Sequence, residues 1–363
     1  MTVLSKGSGL RLLCSETQAR LEQHLRGALD RLLVSRELPA LDDAMRQYVL
    51  TGGKRIRPQL VVWTWQQCRR DEPPSAALLD IAVAWELFHA FLLVHDDIID
   101  AADCRRDQPA LHRRLAQLDS NCPRFGTNLG IVAGDLLFTL AMKLWHGVDL
   151  PDRLFRDELR LFTRIAELTG YGQAIDIVQA HVPLAEVSEE TLMLEYYWKT
   201  AAYTFEGPML SAAIAAGLDE TAQASLSAYA LSLGQAYQLQ NDLLDLAQPC
   251  HEGSDLVQGK RTITLVRHRA SLNAAARKQL DHRMTEIAAG RSGAIGLAER
   301  LRQDLVASDA VRRTGALVDE LLGQAQSAAV EASLPDSLQR GLTDLLDRLR
   351  AAYFTPVEQP ATI

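Results

Sequence analysis

Prolines and the spacing of apolar residues divide the chain into segments that read as helices. Proline-free stretches run over 75–108, 124–150, 152–182, 209–248 and 250–334, and proline interrupts helices more reliably than any other residue. Within the first stretch Leu78, Leu79, Ala82, Val83, Leu87, Ala90 and Val94 recur at helical spacing. Ser75, just after Pro73-Pro74, is placed to cap that helix. A second long helix is expected from near Asp219 to about Leu246. Ala and Leu, good helix formers, dominate these stretches. Alternating β-branched runs are almost absent, since Leu60-Val61-Val62 gives way at once to Trp and Gln. The pattern predicts an all-α protein. No repeat of fixed period and no Pro-, Gly- or Ser-rich linker divides it. One domain over 21–354 is expected, with loose ends at 1–20 and 355–363.

Composition narrows the function. The 363 residues are 47% hydrophobic and 23% charged, which excludes a wholly disordered chain. Basic residues number 38 and acidic residues 46, a net charge of −8, so there is no general nucleic-acid footprint. An acidic protein that handles anions must use local cations or metal ions. Five scattered cysteines (Cys14, Cys68, Cys104, Cys122 and Cys250) show no CxxC spacing, which points to a reducing, cytoplasmic setting. No apolar core of signal-peptide length stands at the N-terminus. The longest uncharged run, Thr221 to Asn241, is full of Gln and Ser and reads as a buried helix, so no transmembrane segment is expected.

Both long helices end in carboxylates, which oppose the helix dipole there and call for a compensating cation. The first carries Asp96, Asp97 and Asp100 in DDIID. Asp96 and Asp100 lie one turn apart on one face, and hard oxygen donors so placed suit Mg²⁺; a solvated acidic helix end is the plainer reading. The second carries Asn241, Asp242 and Asp245 in NDLLD. Candidate cations are Lys54, Arg55 and Arg57 in GGKRIRP, where Gly52 and Gly53 let backbone approach an anion. Arg forks and a Lys point charge suit diphosphate, although a solvated basic turn has the same composition. Arg105 and Arg106 follow DDIID closely enough either to pair with its carboxylates or to bind phosphate. Lys199-Thr200 and Lys260 add further candidates. His89 stands two turns before Asp96 on a shared face, as a core histidine or a ligand contact.

In order along the chain, GGKRIRP, ELFHAFLLVHDDIID, RRDQPALH, GQAIDI, KTAAYTF, YQLQNDLLD and GKRT resemble the trans-isoprenyl diphosphate synthases, or polyprenyl synthetases, over about residues 50 to 265. The resemblance implies a helical bundle around a deep central cavity, a homodimer, and head-to-tail transfer of an allylic group to isopentenyl diphosphate. It implies about three Mg²⁺ ions, held by Asp96 and Asp100 and, from the second acidic motif, Asp242 with Asn241 and Asp245 beside it. Lys54, Arg57, His89 and Arg106 match residues that hold isopentenyl diphosphate, and Arg105, Lys199 and Lys260 match those that hold the allylic diphosphate. Thr200 and Gln238 match polar residues near the developing cation. Three positions depart from the family pattern: Asn241 replaces a usual Asp, Asp107 replaces a usual Gly, and the chain ends FTPVEQPATI without a basic terminus.

Bulky residues upstream of Asp96 set the expected floor for the hydrocarbon. Phe91 is five residues before it, about 7.5 Å along the axis, with Leu92, Phe88 and Trp85 four, eight and eleven before. A helical wheel puts Leu92 and Trp85 nearer the carboxylate face than Phe91. An aromatic at the fifth position, none at the fourth and no insertion inside DDxxD resemble geranylgeranyl (C20) synthases, with farnesyl (C15) synthesis as the alternative. A class I terpene cyclase and a non-catalytic regulatory subunit are the rival classes. The first would carry NDxxSxxxE, and the second commonly degrades DDxxD, which is complete here.

Overall fold

The computed structural model describes residues 12–70, 72–106, 108–119, 121–251, 253–290, 293–331 and 333–353. The chain runs α1 (Ser15–Leu32), α2 (Pro39–Leu50), α3 (Ile56–Cys68), α4 (Ala76–Ile99), a two-residue antiparallel pair β1 (Cys104–Arg105) and β2 (Gln108–Pro109), α5 (Leu111–Leu115), α6 (Phe125–His146), α7 (Asp152–His181) and α8 (Glu189–Glu195). A π-helix over Tyr196–Glu206 leads into α9 (Gly207–Ala215), α10 (Glu220–Leu246), α11 (Ile263–Ser271), α12 (Ala274–Ala288), α13 (Ala294–Val306), α14 (Asp309–Ala329) and α15 (Asp336–Ala352). The all-α reading holds. Helix α1 reaches back to Ser15, so residues 15–20 are helix rather than a loose end. Asp107 and the two outermost ends, 1–11 and 354–363, lie outside the described residues.

The described residues gather into two compact units, 12–162 with 207–223, and 163–206 with 224–353. No linker composition marks the passages between them, which is why the sequence reads as one domain. In the first unit α4 is the central element. Ser75 Oγ accepts the amide of Leu78 at 3.1 Å and caps its start. Residues Leu78–Ala90 then run nearly without exposure, apart from half-buried Asp80. Helix α6 packs along α4. Gly130 and Gly134 permit this, because a Cβ at Gly130 would sit 3.0 Å from Ile98 Cδ1 and one at Gly134 2.3 Å from His95 Nε2. By length and hydropathy α4 and α6 are each apolar enough to cross a membrane. Helix α4 buries 72% of its most apolar window inside the protein and α6 only 39%.

In the second unit, Leu246, Leu256, Leu265, Leu280, Met284, Ile287, Leu301 and Leu305 form a core beneath the end of α10. Glu206, buried at the end of the π-helix, accepts from Arg164 Nη2 (2.9 Å), Tyr197 OH (2.9 Å) and Ser227 Oγ (2.7 Å). Pro208 sits inside continuous helix, where the sequence predicts a break. The widened π turns before it relieve the clash between its ring and the carbonyl one turn back.

Candidate active site

The end of α4 assigns its three aspartates different tasks. Asp97 is fully buried. It accepts from Tyr48 OH of α2 at 3.1 Å and from Arg105 Nε at 2.6 Å. Arg105 Nη2 also reaches Asp96 Oδ2 at 3.2 Å. Burial outweighs that pull and raises the Asp97 carboxyl above its ordinary range. Asp96 and Asp100 stay half-buried, with carboxylates reachable from solvent. Arg105, matched to the allylic diphosphate, is thus ion-paired with Asp96 and Asp97 here. Of the two readings open to it, the structure adopts the ion pair.

The basic turn also divides. Arg55, in left-handed conformation at φ 50°, turns into the core and pairs with buried Glu86 at 2.6 Å. Arg106 lies across the diglycine, donating to the carbonyls of Thr51 (3.1 Å) and Gly52 (3.4 Å). Gly52 and Gly53 have φ of 67° and 89°, and a Cβ on Gly53 would stand 3.0 Å from the Arg106 guanidinium. Both the turn and the close approach therefore need glycine. His89 is buried on α4, and burial together with Arg57, Arg106, Arg105 and Arg55 pushes its pKa well below 6.5. A neutral imidazole ringed by guanidinium groups is a ready receptor for an anion. Half-buried Lys54 is pushed down by burial.

The second group is in the other unit. Asp242 is buried and accepts from Tyr196 OH and from Gln238 Nε2, the latter at 2.9 Å. Thr200 Oγ1 donates to Gln238 Oε1 at 3.1 Å, so the two residues expected near the cation form one chain ending at Asp242. Asn241 Oδ1 accepts from Tyr353 OH of the segment after α15. That carbonyl, which sequence reasoning leaves open to a metal, is engaged within the protein. Lys199 pairs with Asp176, and Lys260 with Asp255 at 3.3 Å. Burial and neighbouring Asp255 raise the carboxyls of Asp242 and Asp245. Burial and Asp176 raise that of Glu195.

These donors fit Mg²⁺. Among the described residues no three His, Cys, Asp or Glu side chains converge as a protein-only cage. Mg²⁺ rarely uses one, taking one or two carboxylates plus waters and substrate phosphates. Burial is the main cause of the raised carboxyls, and a bound cation would favour their charged form.

Sequence reasoning missed Tyr48, Glu86, Asp176, Glu195, Tyr196, Asp255 and Tyr353. Glu86 and Asp176 lie in the quoted ELFHAFLLVHDDIID and GQAIDI, Glu195 lies four residues before Lys199 and Asp255 five before Lys260, so those four carried a signal. The others are brought in only by tertiary folding.

The family description "Polyprenyl synthetase" matches residues 38–292. The chain is 32% identical over 305 residues to a geranylfarnesyl diphosphate synthase of Natronomonas pharaonis, covering 76% of this chain and 85% of that one. It is 32% identical over 252 residues to a geranylgeranyl diphosphate synthase of Methanosarcina mazei, covering 67% and 72%. A geranylgeranyl pyrophosphate synthase from Corynebacterium glutamicum, solved with isoprenyl diphosphate and magnesium, superposes with a TM-score of 0.77 at 25% identity, over 93% of this chain and 99% of that one.

Proposed function

The chain belongs to the polyprenyl synthetase family and is a prenyltransferase, and on that premise we propose Mg²⁺-dependent condensation of isopentenyl diphosphate with an allylic diphosphate to give geranylgeranyl diphosphate (C20). The carrying observation is the end of α4, where half-buried Asp96, one turn before half-buried Asp100, lies 3.2 Å from Arg105, one of the four arginines that hold His89 neutral.

In this reading Asp96, Asp100 and Asp242 hold Mg²⁺, whose charge neutralises the departing diphosphate. Arg105, Lys199 and Lys260 hold the allylic diphosphate. Each now pairs with a carboxylate, Arg105 with Asp96, Lys199 with Asp176 and Lys260 with Asp255, which the diphosphate would replace. Lys54, Arg57, Arg106 and neutral His89 hold isopentenyl diphosphate. Thr200 and Gln238, already joined, direct oxygen lone pairs toward the developing cation. Phe91, whose ring lies 5.7 Å from Phe88 and 5.3 Å from Phe138, closes the hydrocarbon path, with Leu92 and Phe88 beside it. The outer face of α6 exposes Ile131, Val132 and Leu136, which supports a homodimer. Five cysteines without disulfides support a cytoplasmic location.

The test is to incubate the purified protein with Mg²⁺, isopentenyl diphosphate and each of the C5, C10 and C15 allylic primers, and then size the products. A C20 product is expected. A stop at C15 favours farnesyl synthesis. A cyclic hydrocarbon formed without isopentenyl diphosphate favours a cyclase, and activity only with a partner synthase favours a regulatory subunit.

A further inference from the structure

Between Leu50 and Arg55 the backbone takes a shape that its own residues do not all favour. Gly52 and Gly53 have φ of 67° and 89°, and Arg55 follows at 50°. A left-handed arginine costs free energy and persists only where its surroundings hold it. Arg55 occupies the N-cap position of α3, yet its side chain does not cap that helix.

Side chains from the same unit hold the turn instead. Of the five carbonyls from Leu50 to Lys54, four accept from a side chain. Leu50 accepts from Arg55 Nη2 at 3.1 Å, Thr51 and Gly52 from Arg106, and Lys54 from Gln59 Nε2. Gln59 is buried and is itself fixed, its Oε1 accepting from Leu12 N at 3.0 Å. Buried Arg55 donates through Nη1 to Glu86 Oε1 at 2.6 Å, and Glu22 Oε1 of α1 lies 3.5 Å from its Nε.

Stability does not account for the buried pair. Glu86 is 3% exposed, and among the described residues its Oε2 and Arg55 Nε have no hydrogen-bond partner. Unmet buried polar atoms cost free energy, and apolar residues of similar volume often serve such positions as well or better. The place of Glu86 on α4 gives it a task. It lies three residues before His89, on the same face of the helix. Arg55 is one of the four arginines that hold His89 neutral. Glu86 therefore ties the helix that carries His89 to the turn that carries Lys54 and leads to Arg57. Its charge also offsets Arg55 among like charges: Arg106 is repelled by Arg55 and Arg57 and attracted by Glu86.

We propose that Glu86 is a positioning residue for isopentenyl diphosphate, fixing the 50–55 turn through Arg55 while Gln59, tied to Leu12, braces Lys54, so that Lys54, Arg57 and His89 meet the diphosphate already in place. This rests on the assignment of isopentenyl diphosphate to that turn. A preorganised turn favours binding of the substrate it faces, so the effect falls on one of the two substrates.

The experiment measures kcat, the KM of each substrate at saturating concentration of the other (isopentenyl diphosphate and the C15 primer, with Mg²⁺) and the melting temperature. The proteins are wild type, Arg55→Lys, and the double variant Arg55→Met with Glu86→Leu. Arg55→Lys keeps the charge beside Glu86 but not the fork that spans Glu86 and the Leu50 carbonyl. The double variant removes both charges together, so neither is stranded and the melting temperature stays near that of wild type. In both, KM for isopentenyl diphosphate is expected to rise about tenfold, with kcat and the primer KM within about threefold of wild type. An unmoved KM for isopentenyl diphosphate in either variant, or a rise in both KM values together, overturns the positioning role. A rise in the primer KM alone puts the turn in the other subsite and overturns the assignment beneath the proposal. An absence of any condensation product in wild type overturns the elongation reading itself.

Discussion

Replacing Asp97 by alanine separates structure from chemistry within DDIID. The carboxylate is fully buried and serves both Tyr48 and Arg105. Its removal strands the Tyr48 hydroxyl and leaves Arg105 with Asp96 alone, at 3.2 Å. Breaking a buried ion pair typically costs about 3–5 kcal/mol, and the surviving contact with Asp96 puts the expectation at the low end, about 3 kcal/mol. The half-exposed Asp96 and Asp100 lack that burial, so alanine at either costs at most about 1 kcal/mol of stability. Loss of their proposed metal binding instead lowers kcat by about 10²–10³. Urea unfolding and steady-state rates on the three single variants check both halves. Asp97→Ala within about 0.5 kcal/mol of wild type, the level of an ordinary surface change, or Asp96→Ala equally destabilised, would refute the division of labour.

Burial and four arginines hold His89 neutral, with a folded pKa below its unfolded one. Its contribution to stability is present above pH 6.5 and lost as pH falls below it. A bound diphosphate offsets the arginines, so calorimetry at pH 6 in buffers of different ionisation heat should show proton uptake that His89→Gln abolishes; uptake unchanged in the variant rejects the assignment. Gly53→Ala, at φ 89° and 3.0 Å from the Arg106 guanidinium, should cost about 1–2 kcal/mol and raise KM for isopentenyl diphosphate about tenfold, whereas an unmoved KM separates Arg106 from that substrate. Glu158, raised from 4.5 to about 7 and almost wholly buried, binds a proton more tightly folded than unfolded, so wild-type stability falls as pH rises through that window, by about 3 kcal/mol. Glu158→Gln lacks this loss, and the variant-minus-wild-type stability difference should grow by that amount between pH 4.5 and 8; a constant difference contradicts the burial argument.

Local pattern carried far along this chain. Ser75 and the apolar periodicity after it mark the start of α4, and α10 begins and ends within a residue or so of the positions read from sequence. Local chemistry failed where distant segments decide. Residues 207–223 join 12–162 in one unit, a pairing no composition shift announces. DDIID shows that Asp96 and Asp100 share a face, but Asp97 becomes structural only because Tyr48 arrives from α2. Arg55 and Arg57 are indistinguishable as letters, and Glu86, 31 residues on, claims Arg55. Tyr353 reaches Asn241 across 112 residues. Pro208 was misleading because helix rules assume regular α geometry, and the π-helix before it does not have that geometry.

The central claim is that carboxylates at two helix ends work with a divalent cation on a diphosphate leaving group. Initial condensation rates against Mg²⁺ concentration, for wild type, Asp96→Asn and Asp242→Asn, test it most directly. The expected result is no turnover in chelator, saturation with Mg²⁺ in wild type, and a loss of about 10²-fold or more in each variant, partly recovered at high Mg²⁺. Turnover that survives chelation, or full activity in either variant, would contradict it.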